Sequence, residues 1–410
     1  MHLQYFVQYF PPEQASGLSV ITEMLEGFAK HGWEIDVYVP TPTRGVTDEE
    51  RKAYEKRRKE VLYGGKLTIH RMHLYREKTG MAQRTIRYSL FSLQCLIRGL
   101  ALKADAVFTG GGPPTQGIIG GLIHKWSRKK FIFNPQDLFP DSLIVAGKAT
   151  EESRSVKIGR KIERFAYRNA DVIITITEDM AESIRSRTAD KEKVHVVRNW
   201  IDPKKTVPIR RAENRLFDEF RLPRDRFYVT YAGNIGVIQG VEIIVEAAER
   251  LQSEEEIQFV IFGNGSEEQK IRQMIVEKGL KNIRMFPLQP PERVSEVYSL
   301  GDLSVIPGRP GTGSIAMPSK TWTIMAAGTA VIATCEDGRE LGQTINDAGC
   351  GCCTEPGNVE ALAEAILALH ADRRQVTKMS ENARKYAEEQ ISKEKAIGQY
   401  IEIIEDIMKA

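Results

Sequence analysis

The stretch "FYVTYAGNIGVIQGVEIIVEAAERLQSEEEIQFVIFGN", residues 227–264, decides the fold. Phe227–Tyr231 is short and rich in β-branched and aromatic residues, which reads as a strand. Gly233, Gly236 and Gly240 line the turn that follows. Residues 241–252 then carry apolar side chains at helical spacing, and Ile257–Phe262 returns to strand character. Parallel strands need a crossover between them, and a helix is the usual one. The stretch therefore predicts one turn of a parallel α/β sheet.

The same alternation extends in both directions. Upstream, Leu3–Gln8, Glu34–Val39, Ala106–Thr109, Lys130–Phe133, Val172–Thr175 and Val194–Val197 read as strands. Helical stretches at 18–31, 82–103, 115–127, 152–169 and 178–187 separate most of them, and 61–74 reads as a hairpin turning at Gly64-Gly65. The pattern pauses at "RNWIDPKKTVPIRRAENRLFDEFRLPRDR", residues 198–226. Downstream come strands at Ile283–Phe286, Leu303–Ile306, Ala330–Ala333 and Gly351–Thr354, with helices at 266–279, 291–299, 319–327 and 339–347. The end is helical (358–370, 374–389, 393–409). The expected fold class is α/β, with two Rossmann-like doubly wound domains, 1–202 and 203–390, facing across a cleft. The last helix, 391–410, is long enough to pack back on the first domain. Doubly wound sheets bind ligands beyond the carboxyl ends of their strands, so the motifs just after strands carry the function.

With 410 residues the chain suits two domains, and a formal charge of +3 argues against a dedicated nucleic-acid binder. Residues 44–103 are locally basic, with 15 Lys/Arg against 6 Asp/Glu. That surface suits an anionic lipid face, or is simply a solvated basic face. Five cysteines without framework spacing indicate a reducing, cytoplasmic setting, and Cys350-Gly-Cys352-Cys353 lacks the partners of a zinc site. Met1–Phe10 reads as a first strand rather than a leader, and no membrane-spanning run is visible.

In the first domain, "YFPPEQASGLSV" (9–20) brings Gly17 to the start of a helix, where backbone N–H groups favour anions or sugar hydroxyls. "FTGGGPPTQG" (108–117) lets backbone approach a ligand near Gly112. "NPQDLFPDS" (134–142) sets Gln136, Asp137 and Asp141 on a stiff loop, as positioning and deprotonating a sugar hydroxyl require. Ordinary turns and helix capping by Asp141 or Ser142 are the structural alternatives.

In the second domain, Gly233, Asn234 and Gly236 fit a diphosphate cradled by backbone N–H groups, and Gly263 and Gly265 flank the nucleotide, with Leu288 beyond the next strand. "VIPGRPGTGSIAMPSKTW" (305–322) supplies Arg309, Ser319 and Lys320; a cation there holds a leaving phosphate. Glu340, in the first turn of a helix after a strand, suits two ribose hydroxyls or simply complements the helix dipole.

"YAGNIGVIQG", "IFGNGSEEQKI", "MPSKTWTIMAAGTAVIA" and "RELGQTINDAGCG", in this order, resemble the retaining nucleotide-sugar glycosyltransferases of family 4, which have the GT-B fold. "QYFPPEQASG", "PQDLFPDS" and "PSKTWTIMAAG" are similar to a subgroup of bacterial surface-polysaccharide transferases that includes the N-acetyl-L-fucosamine and colanic-acid fucosyl transferases. The resemblance spans nearly the whole chain. It implies transfer of a sugar from a nucleotide-diphosphate sugar, UDP- rather than GDP-, to a saccharide or lipid-linked acceptor. It also implies no cofactor, and the lack of any Asp-x-Asp points the same way for a metal. The family's phosphate-binding Arg and Lys fall here on Asn234 and Gln239, and its two glutamates on Ile315 and Thr323. Arg309 and Lys320 are the expected replacements for phosphate and Glu340 for ribose, with Asp137 and Asp141 joining Lys320 as catalytic candidates. The subgroup shares Pro-Ser-Lys and Glu-Leu-Gly-Gln. The acceptor is expected on the first domain, near Gly17, Gly112, Gln136, Asp137 and Asp141.

Three alternatives stay open at this level. A nicotinamide-dependent dehydrogenase needs G-x-G-x-x-G after its first strand, which residues 9–17 do not provide. A sugar-nucleotide epimerase shares the fold. A non-catalytic sugar-nucleotide-binding protein would account for the missing glutamates.

Overall fold

The computed structural model describes residues 1–409 other than 14–16, 78–79 and 314–316, with backbone only at Met81 and Ala82. The chain divides into two compact units. One holds Met1–Asn199 and the segment from Glu394 onward; the other holds Trp200–Lys393.

The first unit is built on an eight-stranded sheet. Its strands are β1 (His2–Phe6), β2 (Glu34–Pro40), β3 (Lys59–Leu62), β4 (Leu67–Met72), β5 (Ala106–Gly110), β6 (Lys130–Asn134), β7 (Val172–Thr175) and β8 (Val194–Val196). They lie in the order β3-β4-β2-β1-β5-β6-β7-β8, all parallel except the β3/β4 hairpin, which turns through Tyr63–Gly65 with Gly64 and Gly65 at positive φ. The near-continuous apolar strands reflect a sheet covered on both faces. The helix Lys393–Lys409 belongs to this unit. Its Tyr400 is buried with its ring 6.3 Å from that of Phe28, and its hydroxyl accepts a 3.1 Å bond from Asn134 Nδ2. Gly27 makes that docking possible, because a Cβ there would lie 2.6 Å from Ile397 Cγ2.

The second unit carries β9 (Phe227–Asn234), β10 (Ile257–Asn264), β11 (Ile283–Phe286), β12 (Leu303–Ile306), β13 (Ala330–Thr334) and β14 (Gly351–Thr354) in the order β11-β10-β9-β12-β13-β14, all parallel. Its core packs Val229, Tyr231, Phe259, Ile261, Val305 and Ile332 against the helix Glu242–Arg250 and its neighbours.

Three details depart from the sequence reading. β9 and β10 run through Gly233-Asn234 and Gly263-Asn264, so those residues are paired strand ends, Gly263 beside Gly233, rather than loop. A Cβ on Gly263 would lie 2.4 Å from the Gly233 carbonyl oxygen, so the glycine serves the sheet itself. Residues Asp48–Lys56 form an unexpected helix, started by a capping box in which Thr47 and Glu50 satisfy each other's backbone N–H groups. The region 291–299 splits into a 3₁₀ turn, Pro291–Arg293, and the short helix Val294–Tyr298.

Candidate active site

Each sheet has a point where successive crossovers leave in opposite directions. In the second unit β9 lies between β10 and β12; in the first, β1 lies between β2 and β5. In each sheet taken by itself, the carboxyl end of the central strand is where this architecture binds its ligands.

Lys320 sits at the second unit's switch point. It opens the helix Lys320–Ala326, whose Trp322, Ile324, Met325 and Ala326 are buried. The helix stops at Gly328, at φ +66°, where the Gly328 and Thr329 N–H groups bond back to the Met325 and Ile324 carbonyls. The lysine stem returns toward β9. Its Nζ lies 3.7 Å from the centroid of the Tyr231 ring, and a Cβ on Gly233 would come within 3.1 Å of it. Gly233 is at φ +137°, so both its conformation and its lack of a side chain give the ammonium room. Among the described residues no carboxylate pairs with Lys320, and desolvation pushes its ammonium down to about 7. Tyr231 donates from its hydroxyl to the Asn234 carbonyl at 2.5 Å, which holds the ring under the cation.

Around Lys320 the expected residues divide. Asn234 Nδ2 donates to Gln239 Oε1 at 3.2 Å, so the two positions expected to hold phosphate form a neutral amide pair. Gly236 is packed against that pair, since its Cβ would lie 2.7 Å from Gln239 Oε1. Gly265, at φ +153°, faces the Ile235 carbonyl. Ser319 is exposed and makes no capping bond. Leu288 is exposed on the loop after β11. Thr323 is half-buried within its helix, and Ile315 lies outside the described residues. Glu340 begins the helix Glu340–Ala348 and is 5% exposed, reached from β13 through residues 335–339.

Arg309, expected at the phosphate, already has a partner in the unliganded protein. Its guanidinium is ion-paired with Glu242, in the first turn of the helix Glu242–Arg250, and its Cγ would lie 3.1 Å from a Cβ on Gly240. A guanidinium held this way fastens the loop after β12 to the helix after β9. Thr334 closes the same loop, accepting from the Gly308 N–H at 2.8 Å and donating to its carbonyl at 3.1 Å.

In the first unit, Gly17 is at φ +77° ahead of the helix Leu18–Lys30, with no described residue within 4 Å of its would-be Cβ, and the same holds for Gly112. Gln136 is committed: its Nε2 donates to Asn134 Oδ1 and its Oε1 accepts from Asn199 Nδ2, both at 2.9 Å. Asp137 is exposed on one side, while Phe133, Phe139 and Tyr167 line a pocket on the other. Desolvation by those rings pushes its carboxyl up, with the Asp141 charge adding to the shift and the Leu138 N–H and Ser142 hydroxyl opposing it.

Asp141 requires a correction. Both its oxygens are taken by bidentate pairs with Arg160 (2.8 and 2.9 Å) and Arg187 (2.7 and 3.0 Å). Although desolvation opposes it, the two guanidiniums hold its carboxyl below the usual range. Buried Glu163 shares Arg187 at 2.9 Å and accepts from the Tyr167 hydroxyl at 3.1 Å. This network positions the 134–142 loop, and Asp141 has no free oxygen for an acceptor hydroxyl.

The sequence reading passed over Glu13. It is buried and accepts from the Thr43 N–H at 2.8 Å, the Arg44 N–H at 3.2 Å and the Phe10 N–H at 3.3 Å, tying the loop after β1 to the loop after β2. Its place in "PPEQASG" beside Gly17 was the available signal.

Comparisons with known proteins identify the family and the fold. The family description "Glycosyl transferase 4-like domain" matches residues 18–200 and "Glycosyl transferases group 1" matches 213–386. A protein of Escherichia coli strain K12 named as a colanic acid biosynthesis glycosyl transferase, WcaI, is 29% identical over 413 aligned positions, covering 97% of this chain and 98% of its own. Sucrose-phosphate synthase of Thermosynechococcus elongatus superposes with a TM-score of 0.76 at 17% identity, covering 100% of this chain and 99% of its own. Anabaena HepE, solved in complex with UDP and glucose, superposes at 0.72 and 13%, covering 99% and 100%.

Proposed function

The chain belongs to the family 4 glycosyltransferases of the GT-B fold class, and from that premise we propose which transfer it performs. It moves a hexosyl or N-acetylaminosugar unit from a uridine, rather than guanosine, diphosphate sugar. The acceptor is a saccharide or a lipid-linked saccharide in bacterial surface polysaccharide synthesis, and the anomeric configuration is retained. The relative named for colanic acid biosynthesis supports the polysaccharide setting, and the neighbour that holds UDP and glucose supports the uridine donor. The odd cysteine count supports a cytoplasmic site of action.

One observation carries the reading. Lys320 presents a desolvated ammonium without a carboxylate partner among the described residues, against the Gly233 backbone at the sheet's switch point. A diphosphate there lies against the backbone at Gly233 and gains its counter-charge from Lys320. As the bond from the sugar to the phosphate oxygen breaks, negative charge grows on that oxygen, and a preorganised cation stabilises it more than it stabilises the bound donor. Glu340 accepts the ribose hydroxyls, and Asp137 receives the acceptor hydroxyl. Because a lysine supplies the charge, transfer proceeds without a divalent metal.

The test is calorimetric titration of the wild type and Lys320→Met with UDP and GDP, followed by product analysis. Wild type is expected to bind UDP in EDTA and to yield a product whose anomeric proton coupling matches the donor's. Failure to bind any UDP- or GDP-sugar, or conversion of a UDP-sugar to its epimer without acceptor, overturns the proposal.

A further inference from the structure

The helix Met81–Ala101 has two apolar faces. One is packed into the first unit: Phe91 and Cys95 are fully buried, and Gly99 lets Ile123 come so close that a Cβ would lie 2.2 Å from its Cδ1. The other faces water. Ile86, Leu90, Leu93, Ile97 and Leu100 recur at alternating four- and three-residue steps, which places them on one stripe, and all are exposed, up to 57% at Ile97. The stripe is about 21 Å long at the helical rise per residue. A row of large aliphatics held in water along four turns marks an interaction surface.

Charge identifies the occupant. Between Glu77 and Asp105 the sequence has no carboxylate, but it has Lys78, Arg84, Arg87, Arg98 and Lys103. Arg87 is buried and donates to the Tyr75 and Thr41 carbonyls, and Arg84 pairs with Glu77 at 3.2 Å. Arg98 and Lys103 are exposed, with no carboxylate partner among the described residues. Two copies joined along this stripe would bring cations together with no acid from either helix to receive them. An anionic lipid surface accepts both the aliphatic row and the cations. No helix among the described residues is long and apolar enough to cross a membrane, so the contact is one of lying on the surface.

We propose that the exposed stripe of this helix docks the protein on an anionic bilayer. The helix is one part of the basic stretch 44–103; elsewhere in it Arg44, Arg51, Arg57, Lys66, Arg71 and Arg76 are paired with carboxylates. The helix also touches the loop that follows β1 and, beyond the loop after β5, the first residue of the helix Thr115–Ser127. Tyr88 and Tyr9 share a hydroxyl hydrogen bond of 3.1 Å, and Ser92 donates to Thr115 at 2.8 Å. Docking therefore brings the membrane surface to the loops assigned above to a lipid-linked acceptor; that consequence rests on the proposed function, and the docking itself does not.

The experiment is co-sedimentation of the full chain, without donor, with extruded vesicles of phosphatidylcholine alone or mixed with phosphatidylglycerol. Wild type is expected to sediment with the mixed vesicles. Leu93→Gln with Ile97→Gln lowers partitioning by about 10-fold or more. Arg98→Gln with Lys103→Gln lowers it by about 30-fold on the mixed vesicles only. Unchanged melting temperature and UDP affinity in both variants keep the result separate from misfolding and from any failure of the donor site. Absence of sedimentation, or sedimentation indifferent to the stripe variant, overturns the proposal. So does a wild-type dimer by light scattering that the stripe variant converts to monomer without a change in vesicle binding.

Discussion

Asp141 and Lys320 each open a short helix in the segment that follows a parallel strand, β6 for the aspartate and β12 for the lysine. They differ in company. Asp141 is gripped by Arg160 and Arg187 through four charge-assisted hydrogen bonds. Lys320 has a tyrosine ring and a glycine backbone. A charge whose partners are built in has already been used by the fold, and its contribution is to stability. A desolvated charge left without a counter-ion costs stability, and a ligand that supplies the counter-ion recovers that cost. The two side chains invite the same sequence reading and have opposite meanings in the structure.

Removing Lys320 gives the largest separation. Lys320→Met is expected to lower kcat/KM for donor turnover by about 10²–10³, while the melting temperature stays or rises because the variant buries no ammonium. The pH dependence sharpens this. The group titrates near 7 in the folded protein against 10.5 unfolded. Between those values the unfolded chain holds a proton that the folded chain has released, so wild-type stability rises with pH through that window and is level below it. UDP affinity runs the other way, falling above pH 7 as the ammonium is lost. Thermal melts and calorimetry of wild type and variant across that range check both slopes; parallel melts would mean that Lys320 titrates normally.

Asp141→Asn is the inverse case. It leaves two guanidiniums without their acceptor and is expected to cost about 2–3 kcal/mol in urea unfolding. The native contribution is present above the ordinary carboxylate value of 3.8 and is lost as acid protonates the folded carboxyl. Its neighbour Asp137, exposed and raised rather than lowered, should behave like Lys320 on a smaller scale. Asp137→Asn is expected to change stability by no more than about 0.5 kcal/mol, with turnover down by at least about 10-fold. Equal stability losses for the two aspartates would break the distinction between them.

What was legible in the sequence follows the same line. Apolar strand runs and helical spacing are local, so the two parallel sheets and the β3/β4 hairpin could be read directly. The helix Asp48–Lys56 was missed despite its Thr47-x-x-Glu50 signature because it buries only Arg51, leaving no apolar stripe to detect. Gly233 and Gly263 looked like loop because glycine marks turns far more often than it marks two strands ending side by side. Lys320 was readable from Pro-Ser-Lys at a helix start. The commitments of Asp141 were not: Arg160 and Arg187 lie 19 and 46 residues away, and nothing local announces a partner at that distance.

Arg309 carries the smallest expected effect and the closest test of the distinction. It was read beside Lys320 as a phosphate ligand, yet its partner Glu242 lies 67 residues away in sequence and reaches it across the loop. Both side chains are partly exposed, so a double-mutant cycle of Arg309→Gln and Glu242→Gln should give a coupling of only about 0.5–1 kcal/mol. If the pair persists when donor binds, Arg309→Gln changes UDP affinity by less than about threefold. A loss of tenfold or more, with Glu242→Gln raising affinity instead, would show that the guanidinium leaves its carboxylate for the diphosphate. In that event a charge paired in the empty protein would be a ligand held in reserve, and pairing in the unliganded state would no longer separate structural charges from functional ones.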